Sequence, residues 1–242
     1  MSDGVAVVRL GGPALTLAVK TALLRDLRAA AEDDGVRAVV LTGPAGVFSR
    51  GQDLRELAAA LRENPAAAGD TVEAHYNPIT LLLATMPKPV IAAVTGTCVG
   101  AGLGFALACD LQVWSHAAIL STAFTKVGLT CDSGLSFTLP RAVGHARASQ
   151  LVLLAEPFTV EQATGWGFAG DVVDPAEVEP RALELAARLA AGPAAALAAS
   201  KRLLAGPLED ALRAEAKEQV ALGQTAEHAA LVDAFLSRSG SR

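Results

Sequence analysis

Two glycine-bearing turns are the first places in this chain where chemistry could be done. Val94-Thr95-Gly96-Thr97-Cys98-Val99-Gly100-Ala101-Gly102-Leu103-Gly104 follows an apolar run and opens a helix. Small residues there let a ligand approach the backbone closely. A helix N-terminus adds free N–H donors and positive potential. That combination suits a phosphate, a carboxylate or a developing oxyanion. Tight packing of helix on strand is the competing reading of the same glycines. A dinucleotide loop does not fit. Gly100, Gly102 and Gly104 give G-x-G-x-G, five residues lie between the strand end and the first of them, and the acidic residue expected about 20 positions on is missing. The second turn is Phe48-Ser49-Arg50-Gly51-Gln52-Asp53-Leu54, a strand-to-helix junction with a glycine and a capping aspartate. Together the two turns could each present one backbone N–H.

The elements that must hold these turns follow from hydrophobic pattern. Val5 to Leu10 reads as a strand ended by Gly11-Gly12-Pro13. Thr16 caps a helix to about Ala31, with Val19, Leu23, Leu24 and Leu27 on one face. Ala38 to Thr42 is a strand buried on both faces, and 43–51 is loop. Asp53 starts a helix through Leu61, and another spans about Thr71 to Thr85. Strands are expected at Val90 to Val94, Leu111 to Ser115 and Ala118 to Thr122, with helix from the glycine-rich stretch to about Cys109. Arg147 to Leu154 is helical, Thr159 and Gln162 form a capping box, and Val172-Val173 is a last strand fragment. Beyond Pro175 the pattern is helix alone, at about 178–191, 194–205, 210–224 and 225–237. This order predicts an α/β core with a helical tail. It does not choose between a spiral and a doubly wound sheet.

The bulk numbers exclude several classes. With 242 residues, 52% hydrophobic and 19% charged, the chain can bury a substantial core. One Tyr and two Trp offer no stacking platform, and a net charge of -5 without a Lys/Arg cluster argues against nucleic acid. Cys98, Cys109 and Cys131 are odd in number and lack Cys-x-x-Cys spacing, and His75, His116, His145 and His228 lack metal-ligand spacing. A reducing compartment and no metal is the expectation. No signal-peptide pattern follows Met1-Ser2-Asp3-Gly4 and no apolar run reaches a membrane span, so the expected place is the cytoplasm.

Several motifs in one order carry a resemblance. Val39-Val40-Leu41-Thr42-Gly43 through Asp53-Leu54 resembles the strand, loop and F-x-x-G-x-D-L of the enoyl-CoA hydratase/isomerase (crotonase) superfamily. Lys88-Pro89-Val90-Ile91-Ala92-Ala93-Val94 through Cys109-Asp110, Leu139-Pro140-Arg141 with Gly144, Ala163 with Trp166-Gly167-Phe168, and Gly192-Pro193 with Lys201 resemble its later segments. The likeness covers nearly the whole chain. It implies a ββα spiral over residues 1–190, carrying the acyl-CoA site, and a helical region over 191–242 that drives a homotrimer, or a hexamer of two trimers. It implies no cofactor beyond the coenzyme A of the substrate.

By motif position, the N–H groups of Gln52 and Ala101 would form an oxyanion hole for the thioester carbonyl, flanked by Gly51 and Gly100. The two glutamates of the hydratases are replaced here by Gly104 and Phe124, neither of which can transfer a proton. Phe124-Thr125-Lys126-Val127-Gly128-Leu129-Thr130-Cys131-Asp132-Ser133-Gly134 is instead similar to the aspartate segment of the isomerases. Asp132 is therefore the candidate proton carrier, and its other reading is the cap of a helix starting at Ser133. The same position is the nucleophile in the aryl-CoA dehalogenase branch. Cys131 stands where a proline is usual. Arg50, in place of an alanine, could replace the arginine missing from the shortened first turn as a CoA phosphate contact. Lys201 is the tail lysine expected toward the nucleotide. Asp53 and Asp110 are expected to cap or turn; His75 and Tyr76 could face the acyl pocket, but surface or packing positions are the leading expectation for them. An isomerase is the leading expectation. A hydratase or hydrolase using Asp132, or an acyl-CoA-binding protein without catalysis, are the alternatives.

Overall fold

In the computed structural model, which describes residues 4–64 and 69–239, each sheet-forming pair of strands is followed by helix. The chain opens with β1 (Val5–Arg9) and α1 (Leu17–Glu32), whose first turn is tied by the Thr16 hydroxyl accepting the Val19 N–H. Then come β2 (Ala38–Thr42), β3 (Val47–Ser49) and α2 (Leu54–Glu63), which Asp53 caps through the amides of Arg55 and Glu56. A π-helical turn, Val72–Tyr76, runs into α3 (Asn77–Thr85). β4 (Val90–Val94), β5 (Thr97–Val99) and α4 (Ala101–Ala108) make the next unit. β6 (Leu111–Ser115) and β7 (Ile119–Ser121) lead through a short 3-10 turn, Phe124–Val127, to α5 (Leu135–Val143) and α6 (His145–Leu154). β8 (Phe158–Thr159), α7 (Val160–Gly165) and β9 (Asp171–Val173) close the sheets. Four helices end the chain: α8 (Val178–Ala190), α9 (Ala194–Ala205), α10 (Leu208–Gly223) and α11 (Ala226–Ser239).

The strands sort into two sheets. One is parallel, in the order β1-β2-β4-β6-β9, and the other runs β3-β5-β7-β8. The three middle turns, β2–β3, β4–β5 and β6–β7, each give one strand to each sheet, so the architecture is a spiral and not a doubly wound sheet. β3 lies inside the span read as loop. With three residues it is too short to show a period, and its pairing with β5, Val47 on Thr97 and Ser49 on Cys98, makes it a strand. The long parallel sheet is covered on both faces, which is why its strands read as unbroken apolar runs. Val39, Leu41, Ala92 and Val94 face the main core, whereas Ala38, Val40, Ile91 and Ala93 meet Val178, Ala182, Ala186 and Ala190 of α8. The four-residue spacing puts those α8 side chains on one stripe, and their small size lets the helix lie close.

The last two helices fold back onto the segment between β7 and α5. Val232 of α11 packs with Leu57 and Ala58 of α2 and with Val127. Glu215 and Gln219 of α10 and His228 of α11 hydrogen-bond into residues 127–136. Among the described residues no single helix is long and apolar enough to cross a membrane.

Candidate active site

Two turns meet at one cavity. Gly51 has φ 77 and Gly100 φ 58, backbone that side chains with a Cβ rarely adopt. The turns touch: a Cβ added to Gly51 would lie 3.1 Å from the Val99 carbonyl oxygen and 3.7 Å from the Gly100 Cα. The amides of both glycines are in use, Gly51 to the Ser49 hydroxyl at 3.1 Å and Gly100 to the Ser121 carbonyl at 3.0 Å. The next amide in each turn, that of Gln52 and that of Ala101, donates to no acceptor among the described residues. Ala101 is the first residue of α4, whose leading amides have no partner within the helix. Gly51, Gln52, Gly100 and Ala101 all line one cavity of about 160 Å³, with Leu54, Val99, Val127 and Leu129 among its apolar walls.

Asp132 lines the same cavity and is 2% exposed. Its Oδ1 accepts from the Ser133 hydroxyl at 2.8 Å and its Oδ2 from the Gln219 amide at 3.0 Å. Burial pushes its carboxyl up to about 7. The Ser133 hydrogen bond opposes that rise and the nearby Glu215 carboxylate adds to it. The reading of Asp132 as a helix cap is overturned. The helix begins at Leu135, and the amides of Gly134 and Ser136 at its start go to the two oxygens of Glu215, each at 2.7 Å. Glu215, from another helix, does the capping and leaves Asp132 to the cavity.

Tyr76 corrects a second expectation. It is fully buried, lines the cavity, and its hydroxyl has no partner among the described residues. Burial, with Asp132 next in effect, holds its phenol well above the ordinary range, so it is a neutral donor. His75 stands aside, half-buried, with Nδ1 3.3 Å from the Thr71 hydroxyl. Lys20 was missed. It is 4% exposed, its ammonium gives 2.6 Å to the Thr71 hydroxyl and sits 5.0 Å from the Tyr76 ring centre. Burial lowers its pKa, against the pull of Glu56 and Asp132. A lysine on the stripe of Leu23, Leu24 and Leu27 was the signal that could have found it.

Arg50 and Phe124 line the cavity, Arg50 from an exposed position. Lys126, not singled out from the sequence, is a second exposed cation on the same wall. Lys201 does not come to the site. Its ammonium is buried on Asp110 at 2.7 Å and on the carbonyls of Leu83 and Lys88. Asp110 also accepts the Val90 amide at 2.7 Å, so the pair ties the end of α3 to the start of β4. Burial disfavours both charges, raising the Asp110 pKa and lowering that of Lys201, and their contact offsets this. Gly104 is packed shut: a Cβ there would overlap the Ser133 side chain and carbonyl. The segment that carries Asp132 fills the space a glutamate would need.

Comparison with known proteins identifies the family. The profile of the enoyl-CoA hydratase/isomerase family matches residues 1–237. A relative from Rhodobacter capsulatus, named a probable enoyl-CoA hydratase, is 37% identical over 98% of this chain and 93% of its own. The 1,2-epoxyphenylacetyl-CoA isomerase of Escherichia coli is 36% identical over 88% of this chain and 82% of its own. The crystal structure of an enoyl-CoA hydratase from Bacillus halodurans superposes with a TM-score of 0.88 at 27% identity, covering 97% of each chain. With the profile spanning nearly all of it, the chain belongs to the enoyl-CoA hydratase/isomerase family of enzymes.

Proposed function

We propose that this protein is an acyl-CoA isomerase that shifts a double bond through a thioester enolate. The thioester carbonyl sits between the amides of Gln52 and Ala101. The Asp132 carboxylate takes a proton from the α carbon, and the electron pair moves onto the carbonyl oxygen, where the two amides and the α4 dipole hold the charge. The carboxylic acid so formed returns the proton at the γ carbon, and the double bond comes into conjugation. Losing one such amide would cost about 2.7–4 kcal/mol of transition-state stabilisation. A base near pH 7 is matched to this task. Tyr76, a neutral donor in the same cavity, orients the acyl group, and Arg50 and Lys126 offer positive charge to the CoA phosphates.

The observation that carries the reading is Asp132 itself: a buried carboxylate, relieved of capping by Glu215, facing the cavity of the two unused amides. The hydratase name of the Rhodobacter capsulatus relative supports a second reading, hydration with Asp132 as the base. Absorbance separates the two. A 3-enoyl-CoA should gain conjugated-thioester absorbance. Loss of absorbance from a 2-enoyl-CoA in water, with no gain from the 3-enoyl substrate, would replace isomerisation by hydration. The assembly that fits is a homotrimer built on α9, whose Leu203 and Leu204 are each 85% exposed on the single chain. Light scattering would give the mass of three or six chains, and a monomer would refute it.

A further inference from the structure

A second, smaller cavity adjoins the first at Asp132. It measures about 20 Å³, and Gln52, Leu129 and Asp132 belong to its wall and to that of the acyl cavity as well. That is room for one water, and a water needs two or more polar partners to stay. His228 of α11 supplies one. The residue is completely buried and lines this cavity. Its Nδ1 is in hydrogen-bond contact with the Val127 carbonyl, which only accepts, so Nδ1 carries the hydrogen. In the neutral ring Nε2 then keeps its lone pair, and Nε2 has no partner among the described residues. Gly69, Thr71 and Gly223 form a half-exposed part of the wall.

We propose that this cavity holds a single water bridging His228 Nε2 and the Asp132 carboxylate, and that through it the proton carried by Asp132 exchanges with solvent during turnover. The proposal rests on the isomerase reading for its role in catalysis. The water gives one O–H to Nε2 and the other to the carboxylate. Once Asp132 has taken a substrate proton, its acid O–H gives that proton to the bridging water and receives one of the water's own; in D₂O the carboxylic acid becomes O–D and the cavity water HOD. His228 is a positioning residue, acting on Asp132 through the water. The other groups facing Asp132 are Glu215 from α10, Lys20 from α1, Tyr76 from the π-helical turn and Cys131 beside it.

Two measurements test this, and the first needs no turnover. The chain has four histidines, so ¹⁵N ring spectra of the substrate-free protein are simple, and the signal lost in His228→Asn identifies His228. Its Nε2 should resonate as an unprotonated nitrogen and should move in Asp132→Asn. A protonated Nε2 at neutral pH, or a signal indifferent to Asp132→Asn, overturns the bridge. The second measures deuterium at the γ carbon per product molecule formed in D₂O. Asparagine at 228 keeps a donor for the Val127 carbonyl but loses Nε2. Deuterium per product should fall by more than half in His228→Asn. The acid limb of kcat/KM should move up in pH, because the carboxylate loses a hydrogen bond to its charged form. Unchanged deuterium with an unchanged limb refutes the role. If the wild type does not isomerise at all, the isomerase reading fails alone, and the nitrogen signal still decides the bridge.

Discussion

Replacing Asp132 by asparagine should destroy turnover and strengthen the fold, and the second effect should depend on pH. In the folded protein burial lifts this carboxyl from its ordinary 3.8 to about 7. The folded state therefore binds a proton more readily than the unfolded chain between those values. Stability contributed by this group is present below about pH 4 and is lost as pH rises toward 7, because folding must then bury a charge. The gap, at about 1.36 kcal/mol per pH unit, comes to about 4 kcal/mol once both states are ionised. Asparagine escapes that cost. Its oxygen can accept from Gln219, and its amide can donate to the Ser133 oxygen after that hydroxyl turns, a rearrangement costing about 1 kcal/mol.

Urea melts of the two proteins at pH 4 and pH 8 check this. Asp132→Asn should be more stable by about 2–4 kcal/mol at pH 8, and the gain should shrink below about 1 kcal/mol at pH 4. Asp110 is present in both proteins and does not act on Asp132, so its titration cancels in the difference, whereas Glu215 is coupled to Asp132 and shifts with it. In parallel, kcat should fall by about 10²–10⁴ with acyl-CoA binding retained. A variant less stable than wild type at pH 8, or a gain independent of pH, would show that burial does not act on this carboxylate as described. Unchanged turnover would remove Asp132 from the mechanism.

Three further outcomes follow from contacts at and near the site. Lys201→Met should lose about 1–3 kcal/mol of stability in a thermal or urea melt, because it takes the cation from the partly exposed Asp110 and leaves the carbonyls of Leu83 and Lys88 without their donor. The KM for the CoA substrate should not move, and a raised KM without a stability loss would restore Lys201 to the nucleotide. Gly104→Glu should not create a hydratase; a Cβ there meets Ser133, and the protein should melt earlier by an overpacking cost of about 1–3 kcal/mol. Tyr76→Phe breaks no hydrogen bond among the described residues and removes a buried unpartnered hydroxyl, so stability in a melt should hold or rise while kcat/KM falls. Unchanged kcat/KM would make Tyr76 a wall residue only.

What could be read from the sequence was what the chain settles locally. The turns at Gly51 and Gly100 each announce themselves by a glycine against a helix start, and the structure brings both to one cavity. Thr16, Asp53 and the Thr159–Gln162 box cap the helices they precede, because a cap is a contact within three residues. The residues around Asp132 came from farther away. Glu215 reaches Gly134 across 81 positions, and Gln219 reaches Asp132 across 87. On an amphipathic helix a glutamate and a glutamine read as a solvated face. Here both lie on the buried side of α10, with Leu208, Leu212 and Ala216. Tyr76 reads as packing for the same reason: its ring is indeed packed, 6.1 Å from that of Phe105, and only the third dimension shows that the residue also lines the cavity.

Glu215 also explains how Asp132 keeps a pKa suited to a base. A carboxylate that capped α5 would gain two amide hydrogen bonds to its charged form and the favourable end of the helix dipole, and both pull a pKa down. An acid that weakly basic takes carbon-bound protons poorly. Glu215 takes both amides instead, and its own charge, held nearby, raises Asp132 further. Glu215→Gln separates the two roles. The new side chain has one acceptor oxygen where two amides need one each, so stability should drop by about 1–3 kcal/mol. Loss of the negative charge makes ionised Asp132 easier to form, so the acid limb of kcat/KM should move to lower pH. A purely structural Glu215 would lower stability and leave the limb in place, and that result would return the tuning of Asp132 to burial alone.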